Sequence, residues 1–594
     1  MYFFVSVKEN AFYDYIVIGS GPGGSTIAGR LALNNFKVLL IESGPDYADG
    51  QTTIPSFWPL NYLNPLITAK FQMYLYRKED NLTIEYPRGL TLGGSSQVNA
   101  LIGIKANPSE WDDISEITDD SNWNYDSIKN KYEKLVENCE YCVDNKNKNG
   151  WLNISLAPHL SPSPLLNQIN PVLNSLLEAV NSKVPFNDNV NQNISYDSWF
   201  FNPNTVSQQL GQRSNSYVYI KNIQKLKPSN LHIWTNSFVT KLIIDSKTKN
   251  ALGVEYVKGS NLYKVIPLSS QTLNSNDLEK FRIYAKREVI VSGGQWMSPQ
   301  LLQLSGIGDK NILNKYNIDV IEDLPGVGQN QQDRYELPYV IKFKSNASLL
   351  GLNNPSCTFN LTSDDPCLID YNNHPNASTY TSNLILLNLL YSTQPKVNNF
   401  PDTSMVFVPL RVDGIRQDWV QRALQYTPGE YLTVNINVAR NLTRTGQVNI
   451  QSTNAFDQPL IEMKYFNDQH KQLYINRIIE NIRFIRNTLF NNTLFSQYID
   501  YEDLPGTNIT TDQQLTEYIE KYIFGHHACC TNKMGNLKTD PSAVVNSKGQ
   551  VKNIKNLRIC DISIFPIEPG YYPIVSILTA CEKIADDIIK QAQN

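Results

Sequence analysis

Residues 13 to 46 restrict the fold more than any other part of the chain. Tyr15 to Ile18 has strand character, Gly19, Gly21 and Gly24 take the places of a G-x-G-x-x-G, Ser25 to Asn34 has helical spacing, and Val38 to Ile41 is a second apolar run. That order spells a β-α-β unit. Its glycines have separate duties: Gly19 makes the tight turn, Gly21 lets backbone approach a pyrophosphate, and Gly24 permits close packing of helix on strand. The helix start supplies unpaired N–H groups and the positive end of a dipole. Glu42, closing the second strand, is placed to accept hydrogen bonds from a ribose 2′-hydroxyl. The unit predicts a dinucleotide site and leaves FAD and NAD as alternatives.

At 594 residues the chain exceeds one ordinary hydrophobic core and predicts about two domains. Basic and acidic residues number 52 and 56, a net charge of −4, so no bulk attraction to nucleic acid or anionic membrane is expected. The longest apolar stretches, such as Leu384 to Leu390, fall well short of the roughly 20 residues of a membrane span. Met1 to Val7 is apolar but lacks a basic start and a small-residue cleavage site. The chain therefore reads as soluble, without a signal peptide in these residues, cytoplasmic by default and secreted if a signal was removed. Nine Asn-x-Ser/Thr sequons, among them Asn81, Asn153, Asn193, Asn346 and Asn441, decide nothing in a sequence so rich in asparagine.

Eight cysteines in so long a chain do not read as a disulfide framework. Cys139 and Cys142 form a C-x-x-C with no second pair at zinc spacing and read as an ordinary helix-face pair, so no metal site is expected. Cys357 and Cys367 flank a Pro-, Asn- and Asp-rich loop and could be bridged in an oxidising compartment.

From Tyr86 a second glycine-rich stretch presents Gly93, Gly94, Ser95 and Ser96, whose small side chains, N–H groups and hydroxyls suit a flat or anionic group. Residues 122–138 have helical spacing, whereas 150–204 is polar and poorly periodic. Leu231 to Ile244 and Ala251 to Val257 predict a strand pair; Arg287 to Ser292 predicts a buried strand, and Ser298-Pro299 the start of a helix. Beyond 331 the pattern changes to alternating strands, as in Met405 to Leu410 and Tyr431 to Val438, with a helix at Lys471 to Leu489. Leu557 to Asp561 is again a buried strand ending in a carboxylate, followed by an apolar-faced helix from Ile574 to Ile589. The expected division is a discontinuous nucleotide-binding domain of 1–150, 205–330 and 515–594, and a second domain of 151–204 and 331–514.

Several of these stretches fall into one known order. The N-terminal unit, Gly89-Leu-Thr-Leu-Gly-Gly-Ser-Ser-Gln-Val-Asn99, Ser298-Pro-Gln-Leu-Leu-Gln-Leu-Ser-Gly-Ile-Gly308, Pro325-Gly-Val-Gly-Gln-Asn330, His527-x3-Thr531-x2-Met534-Gly535, and Arg558 to Ser563 with Pro573 follow one another. In this the chain resembles, nearly end to end, the glucose-methanol-choline (GMC) flavoprotein oxidoreductases. The resemblance implies an α/β plus α+β fold: a discontinuous Rossmann-like FAD-binding domain with a substrate domain built on an antiparallel sheet. It implies that Gly19, Gly21, Gly24 and Glu42 hold the ADP half of FAD, with Gly93, Gly94, Ser95 and Asn99 along the pyrophosphate and flavin edge. Val239 would meet the adenine, Asp561 would lie near the ribityl chain, and Pro573 would complete the cofactor set. Family members that bind FAD covalently use a His before the Asn; here Val98 stands there, so FAD is expected to be non-covalent.

The motif spacing selects His527 as the family's catalytic base, a role that suits a neutral imidazole taking a hydroxyl proton; the neighbouring His526 is assigned a supporting place. The family's second catalytic position, usually His or Asn before a Pro, is occupied by Tyr572, a hydrogen-bond donor but a poor base at neutral pH. Cys530, Gln295 and Arg334 also replace the usual Gly, a small residue and His, and the adjacent Cys529 and Cys530 read as buried thiols filling space. The expected reaction is FAD-dependent removal of hydride from the CH–OH group of a small-molecule alcohol or sugar, with oxygen or another acceptor reoxidising the flavin. A flavin-bearing lyase or decarboxylase of the same fold, and a flavin-binding protein without catalysis, stay open as alternatives.

Overall fold

The computed structural model describes residues 12–593 apart from 77, 143–148, 159–169, 193, 195, 351–356, 360–361, 395–399, 415–416 and 440–441. The apolar stretch Met1 to Val7 and the sequon positions Asn193 and Asn441 lie outside the described residues.

Strands Leu231–Trp234, Val38–Ile41, Tyr13–Ile18 and Phe281–Val291 lie side by side in that order and run parallel. Val38–Ile41 is buried throughout and Tyr13–Ile18 nearly so, which is why they read as continuous apolar runs rather than alternating ones. Phe281–Val291 continues past this layer. Its first residues pair antiparallel with Asn250–Lys258, itself paired to Ser237–Asp245, and its last residues pair in parallel with Leu557–Ile559. Helix Pro22–Leu33, with Pro at its first position, packs against the final helix Pro573–Gln593.

The second large sheet is antiparallel, in the order Ile499–Leu504, Tyr335–Phe343, Tyr431–Val438, Thr403–Val408, Leu387–Tyr391 and Ser198–Phe200. Strand alternation divides its two faces. Tyr335, Leu337, Tyr339, Ile341, Leu432, Val434 and Ile436 join a core with Ile475, Ile478, Ile482 and Ile485 of helix Lys471–Leu489. The other set is polar at its centre: Glu336, Asn388, Ser404, Asn435 and Asn437, of which only Asn435 is not fully buried. A smaller sheet joins Gln447–Asn449 and Leu460–Glu462 to Thr68–Tyr74 and Thr83–Gly89.

Four expectations are corrected. Residues 122–138 are not one helix: short helical turns with a π segment at Lys129–Glu133 end in strand Glu137–Cys139. The polar stretch 150–204 contains helix Pro171–Asn181, whose buried Val172, Leu173, Leu176, Ala179 and Val180 repeat at helical spacing behind the capping Asn170. Helix Gly294–Leu304 begins before Ser298 and carries Pro299 inside it; the Gln295 carbonyl that Pro299 cannot serve accepts the Thr531 hydroxyl at 2.5 Å. The eight cysteines pair as Cys139–Cys142, Cys357–Cys367, Cys529–Cys530 and Cys560–Cys581. The first is thus a strand-end disulfide, not a helix-face pair, and the last joins sequence-distant elements in space, which residue spacing does not reveal.

Candidate functional site

A long cavity runs from the first β-α turn to His526, His527 and Tyr572. All the site residues singled out from the sequence line it except Gly24 and Gly93. Gly24 lies behind it, where an added Cβ would come within 1.9 Å of the Gly19 carbonyl. Gly93 has φ 92° and donates its N–H to the Ser20 hydroxyl at 3.0 Å. Gly21, by contrast, faces open space: a Cβ there would touch nothing within 4 Å.

The end of the cavity at the β-α turn is tied together by Glu42. One of its oxygens accepts from the Ser20 N–H (2.9 Å) and hydroxyl (2.6 Å), and the other from the Gly44 N–H (2.8 Å). Ser95 accepts the Gly89 N–H at 3.2 Å, while Asn99 accepts from the guanidinium of buried Arg213 at 2.7 Å. Burial lowers Arg213 to about 9. Val239 comes from strand Ser237–Asp245, and Val98 is buried in the cavity wall. Asp561, after strand Leu557–Ile559, accepts from the Gly294 N–H at 2.9 Å and the Ser298 hydroxyl at 2.6 Å; burial nevertheless raises its pKa.

His527 sits at the other end, in a clamped loop. Its N–H donates to Asp333 at 2.9 Å, and the same carboxylate accepts the hydroxyls of Tyr86 and Tyr465. Phe524 and Glu336 exchange backbone hydrogen bonds at 3.0 and 2.8 Å, and Arg88 donates to the His526 carbonyl at 2.7 Å. The His527 Nδ1 lies 3.0 Å and the His526 Nδ1 2.9 Å from one oxygen of Glu336. The other Glu336 oxygen accepts from Asn435 at 2.9 Å. Burial, despite this carboxylate, puts the His527 pKa well below its usual value, with His526 lowering it further. Although buried, Glu336 is held well below the usual carboxylate range by its two histidines.

Tyr572 stands edge-on to His527, ring centres 5.6 Å apart. Its hydroxyl lies 3.3 Å from Ser404 and 3.4 Å from Asn388, and burial pushes its pKa up to about 12. Pro573 opens the final helix directly after it. The loop before Tyr572 is fastened by Arg334, which donates to the Pro569 and Gly570 carbonyls and pairs with Glu568, all buried. Cys530 has φ 77°, the backbone conformation that suits a glycine.

Sequence reasoning missed Glu336, Asp333 and the clamp by Arg88. One signal was present: Glu336 is the single carboxylate in the apolar strand Tyr335–Phe343, and such a residue needs a buried partner.

Two models described as GMC oxidoreductase match residues 13–336 and 443–580. Across 98% of its length the chain is 26% identical to the dehydrogenase pkfF of Emericella nidulans, covering 94% of that protein. It is 29% identical to an oxygen-dependent choline dehydrogenase of Acinetobacter baumannii, over 98% of this chain and 97% of the other. The crystal structure of a formate oxidase matches with a TM-score of 0.82 at 24% identity, over 98% of this chain and 99% of that one. A fungal aryl-alcohol oxidase gives 0.75 at 19% identity, over 98% and 99%. These two likenesses carry the fold.

Proposed function

Because the chain belongs to the GMC oxidoreductases, a family of FAD flavoproteins, we propose that it oxidises the CH–OH group of a small alcohol or sugar, with His527 as the base. The cofactor fits the residues present: the open approach at Gly21, the helix start at Pro22 and the glycine-rich turn at Gly94 and Ser95 line one continuous cavity. In this reading Gly19, Gly21, Gly24, Glu42, Gly93, Gly94, Ser95, Asn99, Val239, Asp561 and Pro573 hold FAD. Val98 has no nucleophilic atom, which supports non-covalent binding. The same reading assigns 1–150, 205–330 and 515–594 to the cofactor domain, and 151–204 and 331–514 to the substrate domain.

The observation that carries the reaction is the hydrogen-bonding distance between His527 Nδ1 and buried Glu336. With its proton on Nδ1 and aimed at the carboxylate, the imidazole keeps a lone pair on Nε2 for the substrate hydroxyl. Burial keeps the ring neutral before the substrate arrives, and Glu336 stabilises the imidazolium once the proton is taken. Tyr572 donates to the substrate oxygen; its present contacts, at 3.3 and 3.4 Å, are long for hydroxyl hydrogen bonds and easily exchanged. FAD, when bound, supplies the hydride acceptor, and oxygen or another acceptor restores it.

Anaerobic bleaching of the yellow protein by a panel of alcohols and sugars tests this. Wild type bleaches with at least one of them and His527→Ala does not. Equal bleaching by the variant removes His527 from the role of base.

A further inference from the structure

Two imidazoles share one carboxylate oxygen here. Glu336 is fully buried, its Oε1 stands 2.9 Å from His526 Nδ1 and 3.0 Å from His527 Nδ1, and the two rings are 4.0 Å apart. A carboxylate facing a single histidine raises that histidine's pKa by about one to three units, which shrinks the neutral, basic fraction present at neutral pH. The two rings are not equivalent. The His526 side chain is 22% exposed and that of His527 11%, and the His526 Nδ1 is itself buried and makes no hydrogen bond among the described residues, so the Glu336 carboxylate is the charge it faces.

Resting on the reading of His527 as the base, we propose that His526 is a positioning residue for the oxidation: it takes up the Glu336 charge that would otherwise hold a proton on His527, and so keeps the base free. Asp333 is occupied by the His527 backbone N–H and the hydroxyls of Tyr86 and Tyr465, while Arg334, though paired with Glu568, lowers the pKa of His527 alongside His526. Tyr572 stands edge-on to His527, and Arg88 holds the His526 carbonyl at 2.7 Å. A cation at His526 lowers the pKa of His527 whereas Glu336 raises it.

The test uses the FAD-loaded protein with its six histidines 13C-labelled at Cε1, the His527 signal being the one lost in His527→Ala. The midpoint of that signal is followed through pH alongside the acid limb of the bleaching rate. His526→Gln is expected to raise both midpoints by about one to three units. His526→Lys, which restores a cation at the same place, brings them back toward wild type, and Glu336→Gln moves the His527 midpoint down. An unmoved or lowered His527 midpoint in His526→Gln overturns the proposal. Should His526→Gln fail to retain FAD, His526→Asn takes its place, and an unmoved or lowered His527 midpoint in it overturns the proposal equally. If His527→Ala still bleaches, it is the base assignment that falls, while the NMR midpoints report on the pair regardless.

Discussion

At the scale of single residues, burial sets the resting protonation state of the groups in the site. His527 is held neutral by burial, so below about pH 6.5 the unfolded chain takes up a proton that the folded one refuses. Glu336, held as a carboxylate, adds a second loss once pH falls below about 4.3. Stability should therefore decline as pH falls below about 6.5, more steeply below about 4.3, and His527→Gln should flatten the first part of a plot of Tm against pH. Tyr572 calls for a separate experiment. If its hydroxyl donates to the substrate oxygen, Tyr572→Phe lowers the bleaching rate by about a hundredfold with the flavin spectrum intact; an unaltered rate assigns the phenol to packing alone.

Among the elements, the first β-α-β unit was legible to within about three residues, because a buried parallel strand is a bare apolar run and Gly19 and Gly24 leave no room for a side chain. Gly24 makes this concrete. An alanine Cβ would meet the Gly19 carbonyl at 1.9 Å, and backbone cannot swing aside as a long side chain can. Gly24→Ala should cost about 1–3 kcal/mol in a urea melt and release FAD on gel filtration. The elements that were misread share a cause: their local signals are overruled by partners far away in sequence. Pro299 looks like a helix start until Thr531 supplies the hydrogen bond that its ring forgoes. Helix Pro171–Asn181 is surrounded by Asn, Pro and Ser, and its apolar stripe is recognisable only once it has a core to face. His527 and Tyr572 were singled out through motif order, whereas Glu336 required knowing which strand lies beside the histidines. The pairing of cysteines 560 and 581 likewise depends on where the last helix packs.

For the whole molecule, the cavity is a seam: its walls come from the first hundred residues, from the strands around 239 and 291, and from the stretch between 526 and 577. Among the described residues no helix is long and apolar enough to cross a membrane. A dinucleotide lying in such a seam binds the folded form alone, so stripping FAD should lower Tm, and restoring it at a hundredfold excess over Kd should return about 2.7 kcal/mol. The pairing of Val289 with Leu557 has a further consequence during synthesis. A nascent chain can make its β-α-β unit early, yet that layer stays one strand short until nearly everything has left the ribosome. Yellow colour in a translation reaction should hence lag far behind the appearance of the N-terminal half, and stalled products ending before Leu557 should emerge as clients of chaperones rather than as partial flavoproteins.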